Sequence, residues 1–184
     1  MMSIVHRAAE ASELHLAAPL PRRWRHVQGV AAKARTLVPI VGTDGDLLVA
    51  AAWLHDIGYA PGIVDTGFHS LDGARWLRNA GFGLRLASLV AHHSCASYEA
   101  EERGLAAVLT AEFPMEESAT SDSLWYADMT TGPDGNDVSP GDRLAEIRRR
   151  YGPNHLVTRF WHRAEPALME AVDRTEARMR AQPM

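Results

Sequence analysis

Residues 50–62, AAAWLHDIGYAPG, decide how this chain is read. They close an apolar run from Leu47 to Leu54 with an adjacent histidine and aspartate, His55 and Asp56, and then break on glycine and proline. A helix through this run is apolar on all sides, which predicts a central, buried element. Asp44 is placed to cap its start and Gly58 to end it, so the doublet falls on its last turn. The run is far shorter than the roughly 20 residues that span a bilayer.

Helical signals surround the doublet on both sides. Upstream, a segment over 8–18 leads to Pro19 and Pro21, and Trp24, Val27, Val30, Ala31, Ala34, Leu37 and Val38 then recur at helical spacing as far as Val41. Downstream, a loop over 60–68 gives way to a helix opened by His69 and stopped near Gly81. Leu84, Leu86, Leu89 and Val90 mark a helix that delivers His92 and His93 at its end. Further helices are expected over 96–113, 118–131, 139–152 (Ser139 as cap, with Asp142 in the matching position) and 154–180 despite Pro166. No segment alternates with period two between turn signals, so no sheet is expected. The reading is an all-α, single-domain helical bundle over residues 1–184.

The 184 residues suit one core. A net charge of −4 argues against a nucleic-acid polymer or an anionic membrane as partner. The single cysteine, Cys95, excludes an internal disulfide and fits a reducing compartment. With no secretory leader pattern at the N-terminus, the expected location is cytoplasmic.

The chemistry lies in His26, His55, Asp56, His69, His92, His93 and Asp128, nearly all in or at the end of a helical segment. Imidazole and carboxylate together suit divalent transition metals such as Fe, Mn, Co, Ni or Zn, whereas calcium cages are built from oxygen. Neighbouring helix residues point about 100° apart, so His55 and Asp56 serve one centre only if it lies close against the helix. The other ligands must come from other helices.

This pattern resembles the HD-domain superfamily of metal-dependent phosphohydrolases: a histidine (His26), a His-Asp doublet (His55-Asp56, in HDIG) and a distant aspartate (Asp128, in LWYADMTTG). The resemblance covers about residues 22–131, with helices over 139–180 packing on that core. It implies His26, His55, Asp56 and Asp128 as inner metal ligands. In a subset of the superfamily two further histidines complete a two-metal site bridged by the doublet aspartate. Here His69 and one of His92 and His93 hold those places; His93 is preferred, with His92 as a supporting or third-metal ligand. Asp56 is then the central catalytic residue, and the implied reaction is metal-assisted hydrolysis of a small, nucleotide-like phosphorylated substrate.

Many relatives continue the doublet as Ile-Gly-Lys, where this chain has Ile57-Gly58-Tyr59. Tyr59, Lys33, Arg22 and Arg23 are therefore the candidates for substrate binding. Relatives with the same six ligands that hold two irons and oxidise C–H bonds supply one alternative. A non-catalytic nucleotide-binding module supplies another. The remaining histidines, His6, His15, His155 and His162, read as surface or packing residues. The Arg148–Arg150 run and the acidic group Glu99, Glu101 and Glu102 read as solvated faces. Trp53, Trp76 and Trp125 read as core, and Ser94-Cys95 has no activating base to make it a nucleophile.

Overall fold

The computed structural model describes residues 2–182. Among them are eleven α-helices: α1 (Ile4–Leu16), α2 (Pro21–Thr36), α3 (Val38–Val41), α4 (Gly45–Leu54), α5 (His69–Asn79), α6 (Leu84–Ala91), α7 (Ala96–Glu102), α8 (Ala106–Glu112), α9 (Ala119–Met129), α10 (Pro140–Tyr151) and α11 (Leu156–Arg180). No strand occurs among the described residues beyond an isolated bridge between Thr131 and Asp137. No single helix there is long and apolar enough to cross a membrane.

Helix α4 is the centre. Leu48, Val49, Ala50, Ala51, Ala52 and Leu54 are all buried, and α1, α2, α6 and α9 pack around them. Burying each leucine contributes roughly 1.5–3 kcal/mol. In α2 the buried set is His26, Val27, Val30, Ala31 and Ala34, a stripe at helical spacing that carries His26 inward with the core. Trp53 and Trp76 lean on this core partly buried. A second cluster, with Trp125, Met129, Leu144, Ile147, Phe160 and Trp161, fastens α10 and α11 onto α9. Ser139 caps α10 by accepting the Asp142 N–H at 3.0 Å, and α11 runs through Pro166 without ending.

Three boundaries differ from expectation. The helix expected to continue to Val41 stops at Thr36, and a new short helix begins at Val38 with Pro39 in its first turn, because proline offers no N–H to the preceding turn. The helix expected over 96–113 is two helices, parted at Gly104, whose φ is 70°. Helix α4 ends at Leu54, so His55 and Asp56 lie just beyond it and lead into a 3-10 turn over Ile57–Tyr59. Asp44 holds the N-cap position of α4 as expected, but its carboxylate makes no capping bond and takes bonds from Arg85 and Thr120 instead.

That 3-10 turn is pressed against α5. A Cβ on Gly58 would stand 1.9 Å from the His69 carbonyl oxygen and 2.7 Å from the Gly73 amide nitrogen. The loop before α5 is held by the buried Asp72 carboxylate, which accepts the backbone N–H groups of Asp65, Thr66 and Gly67 at 3.0–3.1 Å. Because the obstacle is backbone, Gly58→Ala should cost about 3 kcal/mol or more. Gly73→Ala, whose Cβ would meet its nearest neighbour at 3.1 Å, should cost clearly less. Urea titration of both variants measures the difference.

Asp122 clamps α9 to α11. It accepts from Arg174 at 2.7 and 3.0 Å and from Arg178 at 2.6 Å. Burial raises this carboxyl, but the bonds from Arg174 and Arg178 outweigh it and hold the pKa below the ordinary value. A folded pKa below the unfolded one stabilises the fold above about pH 4 and ceases to do so as the pH falls. Asp122→Asn should therefore lose about 1 kcal/mol near pH 7, a figure reduced by the exposure of the arginines. The gap to the wild type should narrow in denaturant melts at pH 3.

Candidate metal centre

Six of the seven residues suggested as ligands converge beneath the junction of α2, α4, α5, α6 and α9. The side chains of His26, His55 and Asp56 can bring one ligand atom each within 4.8 Å of one another, and so can those of Asp56, His69 and His93. Asp56 is common to both groups. Asp128 joins the first, with Oδ1 at 3.0 Å from His26 Nε2 and 3.8 Å from His55 Nε2. Asp56 Oδ1 lies 3.6 Å from His69 Nε2.

The backbone turns the imidazoles inward. His26 Nδ1 donates to the Gly132 carbonyl at 2.9 Å, His55 Nδ1 to Ala52 at 2.8 Å and His93 Nδ1 to Val90 at 2.6 Å. A carbonyl only accepts, so each Nδ1 carries the proton and a neutral ring keeps its lone pair on Nε2. Burial lowers the pKa of His55, and burial with the nearby His93 lowers that of His69 far more. Burial would raise Asp56, but Arg23, His55, His69 and His26 together hold it well below the usual carboxylate range. Burial would raise Asp128 too, but His26 against it and the nearby His55 hold it below the ordinary value.

This donor set fits a divalent transition metal. His55 Nε2 is fully enclosed and has no partner, a position that costs free energy unless a cation or proton meets it. His93 Nε2, whose lone pair is left free by its Nδ1–H, meets His69 Nε2 at 3.3 Å, a contact satisfied by a proton on His69 Nε2 or by a cation between the two rings.

Further contacts hold the frame. Arg23 donates to Asp56 Oδ2, and its guanidinium lies 3.7 Å above the centre of the Tyr59 ring. Tyr59 in turn stacks on His69 at 4.1 Å, and burial pushes its phenol up. Ser94 Oγ donates to Asp128 Oδ2 from a backbone at φ 46°, followed by Cys95 at φ 61°. Two consecutive non-glycine residues in this region store strain, and here the strain sets the donor against a candidate ligand. Burial raises the Cys95 thiol, which lies in the second core.

Several sequence expectations meet a different geometry. His92 turns away: its Nε2 donates to the Phe113 carbonyl at 2.8 Å, so His93 alone of the pair reaches the cluster. Lys33 faces the segment after α9, bonding Thr130 Oγ1 at 2.9 Å and Asp137 at 2.8 Å, and does not line the cavity. Arg22 is exposed and bonds Asp134, whereas Arg23 and Tyr59 do line the cavity beside the cluster. That cavity, of about 170 Å³, also takes in Glu99, Arg150, Tyr151 and His155. Glu99 is buried against Arg103 and is not part of a solvated face; its pKa is raised by burial. Arg150 and His155 belong to the cavity wall because α10 and α11 fold their connecting turn over the site. That tertiary approach has no local signal in the sequence.

If the roles follow this geometry, His93→Ala should lower the divalent metal bound per chain and His92→Ala should leave it at the wild-type value. Elemental analysis of the purified variants decides. Metal lost equally from both would contradict the assignment.

A family model described as HD domain matches residues 23–134, more than half of the chain. No curated protein matches the chain, and no solved structure does.

Proposed function

Because this chain belongs to the HD-domain family, whose superfamily is one of metal-dependent phosphohydrolases, we propose that it hydrolyses a phosphate ester or anhydride of a small, nucleotide-like molecule. The observation that carries the reading is the convergence of four imidazoles and two carboxylates in one cluster beside the cavity, with His55 Nε2 buried and unpartnered. His26, His55, Asp56 and Asp128 would hold one cation, and Asp56, His69 and His93 a second. Bound cations of this kind supply water that ionises near neutral pH and offset charge on phosphoryl oxygens.

The chain's own residues do the rest. Asp56 stays ionised and serves both groups of ligands. Ser94 and Gly132 fix the orientation of Asp128 and His26. Arg23, held by Asp56 and Tyr59, presents its remaining donors to the cavity, a fork suited to phosphoryl oxygens. Tyr151, His155, Phe160 and Trp161 line the same space and offer flat faces for a planar ring. Guanidinium groups in the wall suit an anionic substrate such as a phosphate ester. A binding module alone would have no need of six converging ligands.

Protein loaded with Mn or Co should release phosphate from a panel of nucleotides and sugar phosphates, with His55→Ala and Asp56→Ala each reducing kcat/KM by about a thousandfold or more. Oxygen uptake by iron-loaded protein without phosphate release would favour the oxygenase. Turnover unchanged in both variants would sink the proposal.

A further inference from the structure

A second cavity, of about 320 Å³, adjoins the first and shares Arg23, His26, Arg143 and Arg150 with it. Arg22 brings its arginines to four, and no carboxylate lines the space. Pro21 and Pro133 form part of the remaining wall. Proline has no N–H, so polar recognition there falls to the guanidinium groups. The volume reaches the range of small-molecule sites, about 300–1,000 Å³.

Arg22 and Arg23 have Asp134 and Asp56 as partners, but Arg143 and Arg150 share one acceptor. Arg143 is only 8% exposed. Its Nη1 donates to Glu146 at 2.8 Å, while its buried Nε has no partner. Arg150 donates to the same Glu146. One carboxylate thus answers two guanidinium groups, and the pair keeps a positive charge at the shared wall. Arg143 Nε is shut off from the cavity, but Nη2 of the same fork bonds no protein group, and a phosphate oxygen supplies the acceptor that this donor lacks in the geometry a guanidinium favours. Arg143 and Arg150 both lie on α10, outside the stretch that matches the family, 23–134, so this part of the wall is supplied by that helix.

We propose that the second cavity is an anion subsite and that the substrate carries two phosphate groups, one at the histidine-aspartate cluster and the other held by Arg143 and Arg150. The assignment of the first group rests on the hydrolase reading; the arginine subsite stands on its own geometry.

Two measurements test it. Calorimetric titration of the purified protein with inorganic pyrophosphate should give a Kd that rises about tenfold in Arg143→Gln and in Arg150→Gln. In turnover, wild-type protein should prefer a nucleoside bisphosphate over p-nitrophenyl phosphate in kcat/KM, and that ratio should fall about tenfold in each variant. Circular dichroism checks folding; should Arg143→Gln unfold, Arg150→Gln at the helix end carries the same test. An equal pyrophosphate Kd in all folded forms, or an unchanged ratio, overturns the subsite even where hydrolysis persists. Arginine-dependent pyrophosphate binding with no phosphate ester hydrolysed supports the subsite and overturns the hydrolase reading instead.

Discussion

An imidazole has two nitrogens, and this protein commits one of them to its own backbone. The carbonyls of Gly132, Ala52 and Val90 take the Nδ1 protons of His26, His55 and His93. That commitment fixes the tautomer, the ring plane and the direction of the free lone pair at once. The carbonyls of Ala52 and Val90 come from helix ends, where the last carbonyls have no partner within the helix. The centre is therefore assembled where secondary structure leaves acceptors over. Arranged elsewhere along the helices, the same side chains would have to find these acceptors by chance.

Helix ends also resolve a difficulty of direction. Successive residues within a helix point about 100° apart, which sets His55 against Asp56. The chain leaves the helix after Leu54 and winds on as a tighter turn over Ile57–Tyr59, and both side chains then reach one centre. At the other histidine pair the chain solves the problem differently. His92 is given to the Phe113 carbonyl, and the positive φ values of Ser94 and Cys95 swing the backbone so that Ser94 meets Asp128.

Much of this was legible in the residues. The all-apolar run ending in His55-Asp56 marked the buried central helix, and helical spacing put His26 on the inner face of α2. The histidines and aspartates carried their own chemistry, and the HD-domain resemblance ordered them. Choosing between His92 and His93 required the position of Phe113, a residue on another element. The place of Lys33 depended on the loop after α9, which folds back within reach of its amine. Glu99, Arg143, Arg150 and His155 look like ordinary surface residues along the chain. Glu99 and Arg143 are buried and Arg150 and His155 line the cavity because α10 and α11 close over the site, and contacts between distant segments leave no periodic trace.

The contact between Gly58 and the first turn of α5 separates two jobs that loops often combine. The spacing from Asp56 to His69 is set by backbone touching backbone, and Asp72 holds the approach to His69 mainly through amide groups that every residue but proline possesses. Ile63 is buried in the core and Thr66 Oγ1 bonds Asp72 and the Phe68 amide, but little of the scaffold's accuracy depends on the side chains at the exposed positions 61, 62 and 64. Those positions can diversify, by drift or by design, while the distances that govern the chemistry stay constant.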